Sequence, residues 1–268
     1  MIAIKHFIKT NGWMVVVIVA SFIFAFRFVD PAPPKSFTLV TGSEDGRYHH
    51  VAQRLKAELA RDGLEVRLVP SAGSIANLSL LTAEDNEIGA GFVQSGVENL
   101  FDGETETLRG IGSLYYEPVW LYYHRDRRIR TVGDLEGKHV AVGEPGSGTK
   151  AVAQLLLETS HLVRSDGTGS VVVSELGGEE AVDALETGGI DAAFFILSAE
   201  SPIIKRLAAN PDLDFVDVRR AAAYEGNYPF LSSCRIPEGL LDLAANVPDS
   251  DRTVIAPLAT LVVNERFH

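Results

Sequence analysis

Residues 134–158 read DLEGKHVAVGEPGSGTKAVAQLLLE, and the fold turns on this stretch. His139–Gly143 is a short apolar run of strand length, and Thr149–Glu158 spaces its apolar residues as a helix does. Between them, Glu144-Pro-Gly-Ser-Gly148 supplies turn glycines and a serine suited to capping the helix. A strand that passes through a Gly-Ser loop into a helix is one βα unit. Working outward, the same unit recurs. Phe37–Thr41 precedes a helical stripe at Val51, Leu55 and Leu59, and Gly63 stops that helix before Leu64, Val66 and Leu68 alternate as a strand. Further strands are predicted at Ile88–Val93, Leu108–Ser113, Val119–Tyr123, Val171–Ser174, Ile190–Ile196, Phe215–Val218 and Val254–Val263. Further helices are predicted at Glu179–Glu186 and Ser201–Ala209. Strands alternating with helices give an α/β fold with largely parallel sheets.

Around Tyr115–Arg130 the chain turns aromatic and then basic (YYEPVWLYYHRDRRIR), as an extended crossover between two lobes would, and Thr131 opens a fresh βαβ series. The β-branched run Thr253–Val263 returns to the first lobe. The expected division is 36–123 plus 225–268 for lobe 1 and 124–224 for lobe 2.

Composition bounds the function. Of 268 residues, 46% are hydrophobic and 22% charged, which excludes a disordered polymer. The formal charge of −12 excludes a general nucleic-acid binder. That charge is uneven: residues 1–35 carry +3 (Lys5, Lys9, Arg27 and Lys35 against Asp30), leaving −15 on the rest. Trp13–Phe26 is free of charge, and Trp13–Val29 as a helix would cover about 25 Å, enough to span a bilayer. Lys5 and Lys9 before the run keep the N-terminus cytoplasmic and export the body. An uncleaved signal anchor over 1–30 is preferred to a cleaved signal peptide, because the run ends in Phe-Arg-Phe-Val-Asp-Pro without a small-x-small site. Residues 31–35 then form a stiff Pro-rich spacer. The expected location is extracytoplasmic, anchored to the inner membrane by residues 13–29. The lone Cys234 forms no internal disulfide and assigns no compartment.

Three strand-to-helix junctions are rich in Gly and Ser: Thr41–Tyr48, Pro70–Asn77 and Gly143–Thr149. Each offers free backbone N–H groups at a helix N-terminus, where carboxylates bind without a cationic side chain. One such loop alone is ordinary turn chemistry; three, spread over two lobes, favour a shared small-molecule cleft. Enzyme motifs fail. Gly148-Thr149-Lys150 reverses the order that a phosphate-binding P-loop needs, and Ser147–Lys150 fits S-x-x-K without a K-T-G companion. His49 and His50 point about 100° apart on a helix and find no second ligand cluster, so no metal or cofactor is expected. Of the aromatic crossover, Tyr115 and Glu117 are the more plausible cleft contacts. Asp191 reads as a turn cap.

Taken together, TGSEDGRYHHVA, GSIANLSLL, IGAGFVQSGV, GIGSLYYEPVWLYY, DLEGKHVAVGEPGSGTKAVAQLLLE and ALETGGIDAAFF resemble, in order, the TAXI family of TRAP-associated extracytoplasmic receptors. The resemblance implies a two-lobed α/β periplasmic binding protein fold of type II. Such a receptor is non-enzymatic. It closes on a small anionic solute, a dicarboxylate or acidic amino acid, and delivers it to TRAP-type membrane permease subunits. Carried over, the ligand contacts are Gly42, Tyr48, Ser74, Asn77, Gln94, Tyr115, Ser147 and Thr149. The backbone of Gly73, Gly146 and Gly148 supports them, and Phe194 closes the far wall. Two departures stand out. Glu44-Asp45-Gly46-Arg47 replaces a neutral loop; facing the cleft, Glu44 and Asp45 would repel a carboxylate and Arg47 would attract one. The chain also stops at Phe267-His268, where family members continue into a helix. A membrane-tethered sensory or partner-binding module on the same fold is the alternative.

Overall fold

A computed structural model describes residues 2–27, 35–44, 46–83, 87–164 and 166–265, with side chains from residue 12 onward. The chain divides into two units, residues 1–34 with 268 and residues 35–267. In the first, α1 (Ile2–Phe26) is helical throughout, and large apolar side chains from Trp13 to Phe26 are exposed, Phe22 at 73% and Phe26 at 79%. Among the described residues no helix is long and apolar enough to cross a membrane. The last residues of the expected 13–29 span, the spacer at 31–34 and the final Phe267-His268 lie outside the described residues.

The second unit holds two five-stranded sheets. The first runs in the order β2-β1-β3-β12-β4, from β1 (Ser36–Val40), β2 (Glu65–Val69), β3 (Ile88–Gln94), β4 (Leu108–Tyr116) and β12 (Leu258–Asn264). β1, β2 and β3 are parallel; β12 is antiparallel to β3 and β4. The second sheet runs β7-β6-β8-β5-β9, from β5 (Val119–His124), β6 (His139–Ala141), β7 (Val172–Ser174), β8 (Ala192–Ile196) and β9 (Leu213–Phe215). Here β7, β6 and β8 are parallel, and β5 is antiparallel to β8 and β9. β10 (Ser232–Ile236) and β11 (Arg252–Ala256) form a separate antiparallel pair. The helices are α2 (Arg47–Arg61), α3 (Ser74–Thr82), α4 (Gly148–Thr159), α5 (Gly178–Glu186), α6 (Pro202–Ala209) and α7 (Ala221–Asn227).

The central strands explain the pattern. β8 (AAFFI), between parallel β6 and antiparallel β5, is buried at every position, as a central strand covered on both faces is. On one face of the second sheet Trp120, Tyr122 and Phe195 pack against Val182, Leu185 and Ile204, with Trp120 edge-on to Phe215 at 5.1 Å. In the first lobe, Leu39, Val66 and Phe92 pack with Ala52 and Tyr48 of α2, and Tyr48 stacks on Phe92 at 5.3 Å. A third cluster runs continuously from Val40, Leu78 and Leu81 to Val140, Val152 and Leu156, joining the two lobes.

Two expectations need correction. Val119–Tyr123, placed with lobe 1 in the sequence reading, pairs as β5 in the second sheet, so the first passage between sheets falls at Glu117-Pro118. The run Val254–Val263 is not one strand. Pro257 interrupts it, because proline has no N–H for a ladder, and β11 and β12 join different sheets. The two passages lie side by side, and the Glu117 N–H donates to the Pro257 carbonyl at 2.9 Å.

Candidate functional site

The cavity between the sheets has a volume of about 590 Å³, and five helices begin at its wall. Arg47 and Tyr48 open α2, Ser74 opens α3, Gly148 and Thr149 open α4, Gly178 and Glu179 open α5, and Pro202 and Ile203 open α6. Each helix follows a strand end through a Gly- or Ser-bearing loop, so the arrangement is a direct product of βα order. Of the expected site residues, Gly42, Tyr48, Gly73, Ser74, Gln94, Ser147, Gly148, Thr149 and Phe194 line this cavity.

Three do not. Asn77 is fully buried, and its amide donates to the carbonyls of Thr41 at 2.6 Å and Phe92 at 2.7 Å. Its Oδ1 accepts from Ser71 Oγ at 2.5 Å, so the whole head group is spent tying loop to sheet. Tyr115 is half-buried beneath the Arg47 guanidinium, which lies 4.4 Å from its ring centroid. Gly146 faces the other lobe: its carbonyl accepts from the Ala76 N–H at 3.1 Å. Gly146 holds φ 83° and Gly73 φ 127°, conformations that a side chain strains. A Cβ on Gly73 would stand 3.4 Å from the Ser147 Cα. The two loops therefore meet with backbone against backbone, and the lobes touch.

Glu117, expected with Tyr115 as a cleft contact, does line the cavity, and Arg47, Glu144 and Ser198 complete the wall. Glu117, buried at the passage between sheets, accepts from the Tyr48 hydroxyl at 2.6 Å and from the Gln94 amide. Arg47 reaches across the lobes to donate to Ser198 Oγ at 2.5 Å. Glu144 packs on the Gly177-Gly178 backbone at the start of α5, where a Cβ on Gly177 would come 2.9 Å from its Cγ. Arg47–Ser198 pairs residues 151 apart in sequence, beyond any local signal.

Electrostatics at the site follow from burial. Desolvation raises the Glu117 carboxyl from its ordinary 4.5 to about 7, against the opposing pull of the Tyr48 and Gln94 hydrogen bonds and the Arg47 charge. Burial, and next the Glu117 charge, pushes the Tyr48 hydroxyl well up, so it remains a donor. Tyr115 shifts up for the same two reasons. Because the folded state holds the Glu117 proton more tightly than the unfolded chain, stability falls as pH rises from about 4.5 through about 7. Glu117→Gln keeps an acceptor for Tyr48 and removes that penalty, which is on the order of 3 kcal/mol at full ionisation. The variant is expected to melt several degrees above the parent at pH 8, with the gap closing toward pH 5; thermal unfolding at the two pH values checks it.

The partial enzyme motifs are accounted for structurally. Ser147 Oγ accepts from the Lys150 N–H at 3.1 Å as an N-cap and donates to the Glu144 carbonyl at 2.6 Å. The Lys150 ammonium pairs with Glu175 at 2.6 Å. His49 Nδ1 lies 3.2 Å from Thr41 Oγ1, and among the described residues no group of three or more His, Cys, Asp or Glu could hold a metal ion. Asp191 does not cap its own turn: its Oδ2 accepts from the His139 N–H at the start of β6 at 2.8 Å, and its Oδ1 pairs with Arg127 at 2.7 Å.

Solved structures share this architecture at low identity. An ancestral arginine-binding protein bound to arginine aligns with 12% identity and a TM-score of 0.55, over 87% of this chain and 86% of that one. The GluR0 ligand-binding core in complex with L-glutamate aligns with 14% identity and a TM-score of 0.52, over 88% and 86%. Holo ArgBP from T. maritima aligns with 15% identity and a TM-score of 0.51, over 87% and 84%. These likenesses show the two-lobed periplasmic binding protein fold. A family model described as NMT1-like matches residues 39–267, nearly the whole of the second unit, and the chain therefore belongs to the NMT1-like family.

Proposed function

We propose that this protein is an extracytoplasmic receptor that captures a small solute bearing at least one anionic group between its lobes. The observation that carries the reading is the ring of helix N-termini around one cavity. Among them, α3 and α4 present the loops that meet across the lobes, and their N–H groups and positive dipole ends suit a carboxylate. Glu144 already lies against the start of α5, which leaves the α3–α4 end as the anion position. The reading is non-enzymatic, supported by Ser147 and Lys150 serving as cap and ion pair: among the described residues the Ser147 hydroxyl bonds only to backbone groups. Residues 13–29 hold the body at the inner membrane in this proposal, supported by the exposed apolar run of α1. Delivery to TRAP-type permease subunits rests on the ordered motifs that resemble the TAXI family.

A thermal-shift screen of the full chain against carboxylates, sulfonates and amino acids tests the reading. A binding solute at 100 times its Kd contributes about 2.7 kcal/mol, several degrees for a body of this size. The absence of any shift, from protein that melts cooperatively, would sink the receptor proposal.

A further inference from the structure

Two buried acceptors stand together in the cavity wall. Glu117 makes no ion pair among the described residues, although only 7% of its surface is exposed. Arg47, the cation nearest to hand, is stacked on Tyr115 and bonded to Ser198. Gln94 is 5% exposed and lines the same cavity. Its amide nitrogen donates to Glu117, which turns Oε1 away, and that oxygen is buried without a hydrogen-bond partner. Oε1 packs directly on Gly148, the first residue of α4.

A buried acceptor left unpaired is costly, and a carboxylate and a carbonyl side by side ask for a group that only donates. An ammonium is such a group, with three donors and no acceptor. The neighbouring starts of α3 and α4 ask for the opposite charge. We propose that Glu117 and Gln94 form a subsite for a protonated nitrogen, so that the solute is a small zwitterion whose ammonium lies close to its carboxylate. The inference rests on the receptor reading and narrows it: solutes with acidic groups alone are discriminated against, because a second carboxylate would face Glu117 and the Gln94 carbonyl.

Isothermal titration of the full chain with matched probes tests this. L-Alanine is paired with propionate, and L-glutamate with glutarate. The amine-bearing member of at least one pair is expected to bind at least about 30-fold more tightly than its nitrogen-free partner. Glu117→Gln and, independently, Gln94→Met are expected to shrink that ratio to within about threefold, each variant first shown to melt cooperatively. Glutarate or propionate binding as well as its partner overturns the inference and leaves the receptor reading standing. A ratio that survives both substitutions also overturns it. Heat from no member of either pair, together with no shift from any carboxylate, sulfonate or amino acid of the screen, overturns both.

Discussion

A Gly148→Ala variant is expected to lose solute affinity by about 100-fold or more while keeping the thermal stability of the unliganded protein. The added Cβ would stand 1.9 Å from Gln94 Oε1, 2.6 Å from its Cδ and 3.1 Å from Ser74 Oγ. Gln94 and Ser74 belong to the first lobe, and Gly148 opens α4 in the second. The clash therefore exists only when the lobes are together. Swinging Gln94 aside would break the contact of its amide with Glu117. With the lobes apart, alanine at the first position of a helix costs nothing. Titration calorimetry reads the affinity, and small-angle scattering with saturating solute reads the failure to compact. An affinity within threefold of the parent would show that closure does not need the Gly148–Gln94 approach.

The second large effect is on stability. Asn77→Ala is expected to destabilise the fold by about 2 kcal/mol or more, because it removes the buried amide donors to the Thr41 and Phe92 carbonyls, leaving Thr41 only the Ser71 hydroxyl at 2.9 Å. Asn77→Asp sharpens the test. It preserves the volume but replaces a two-proton donor with an acceptor, setting a carboxylate against two carbonyl oxygens. It should be at least as damaging as alanine. Urea denaturation checks both; a loss of solute affinity with full stability would instead assign Asn77 to the ligand.

These two residues show what the sequence could and could not carry. Gly148 belongs to a strand–loop–helix pattern that local spacing reveals, and the same holds for most strands and for nine of the cavity's residues. Asn77 sits in an equally legible loop, yet its direction was invisible. Which way a side chain at the first turn of α3 points depends on the ends of β1 and β3, the latter 15 residues away at Phe92. Glu117 was legible as a cleft contact beside Tyr115, but its surroundings were not. Its Tyr48 partner lies 69 residues upstream, and its burial depends on two strands passing side by side, with Pro257 on the other. The β11–β12 break was hidden because Val and Thr on both sides of Pro257 read as one β-rich run. β10 (SSCRI) escaped notice because its polar residues carry no buried-strand signature.

The paired passages between the sheets also bear on the time course of capture. A lever moves least at its fulcrum. Glu117 sits there, bonded through its backbone to Pro257, and Tyr48, Ser74 and Gln94 stand on the same side. In a receptor that opens about these passages, half of the proposed recognition surface would be assembled before closing, and a solute would dock on it first. The starts of α4 and α5 would arrive afterward. Changes on the docking half should alter how fast the solute is taken up, and changes on the arriving half how long it stays.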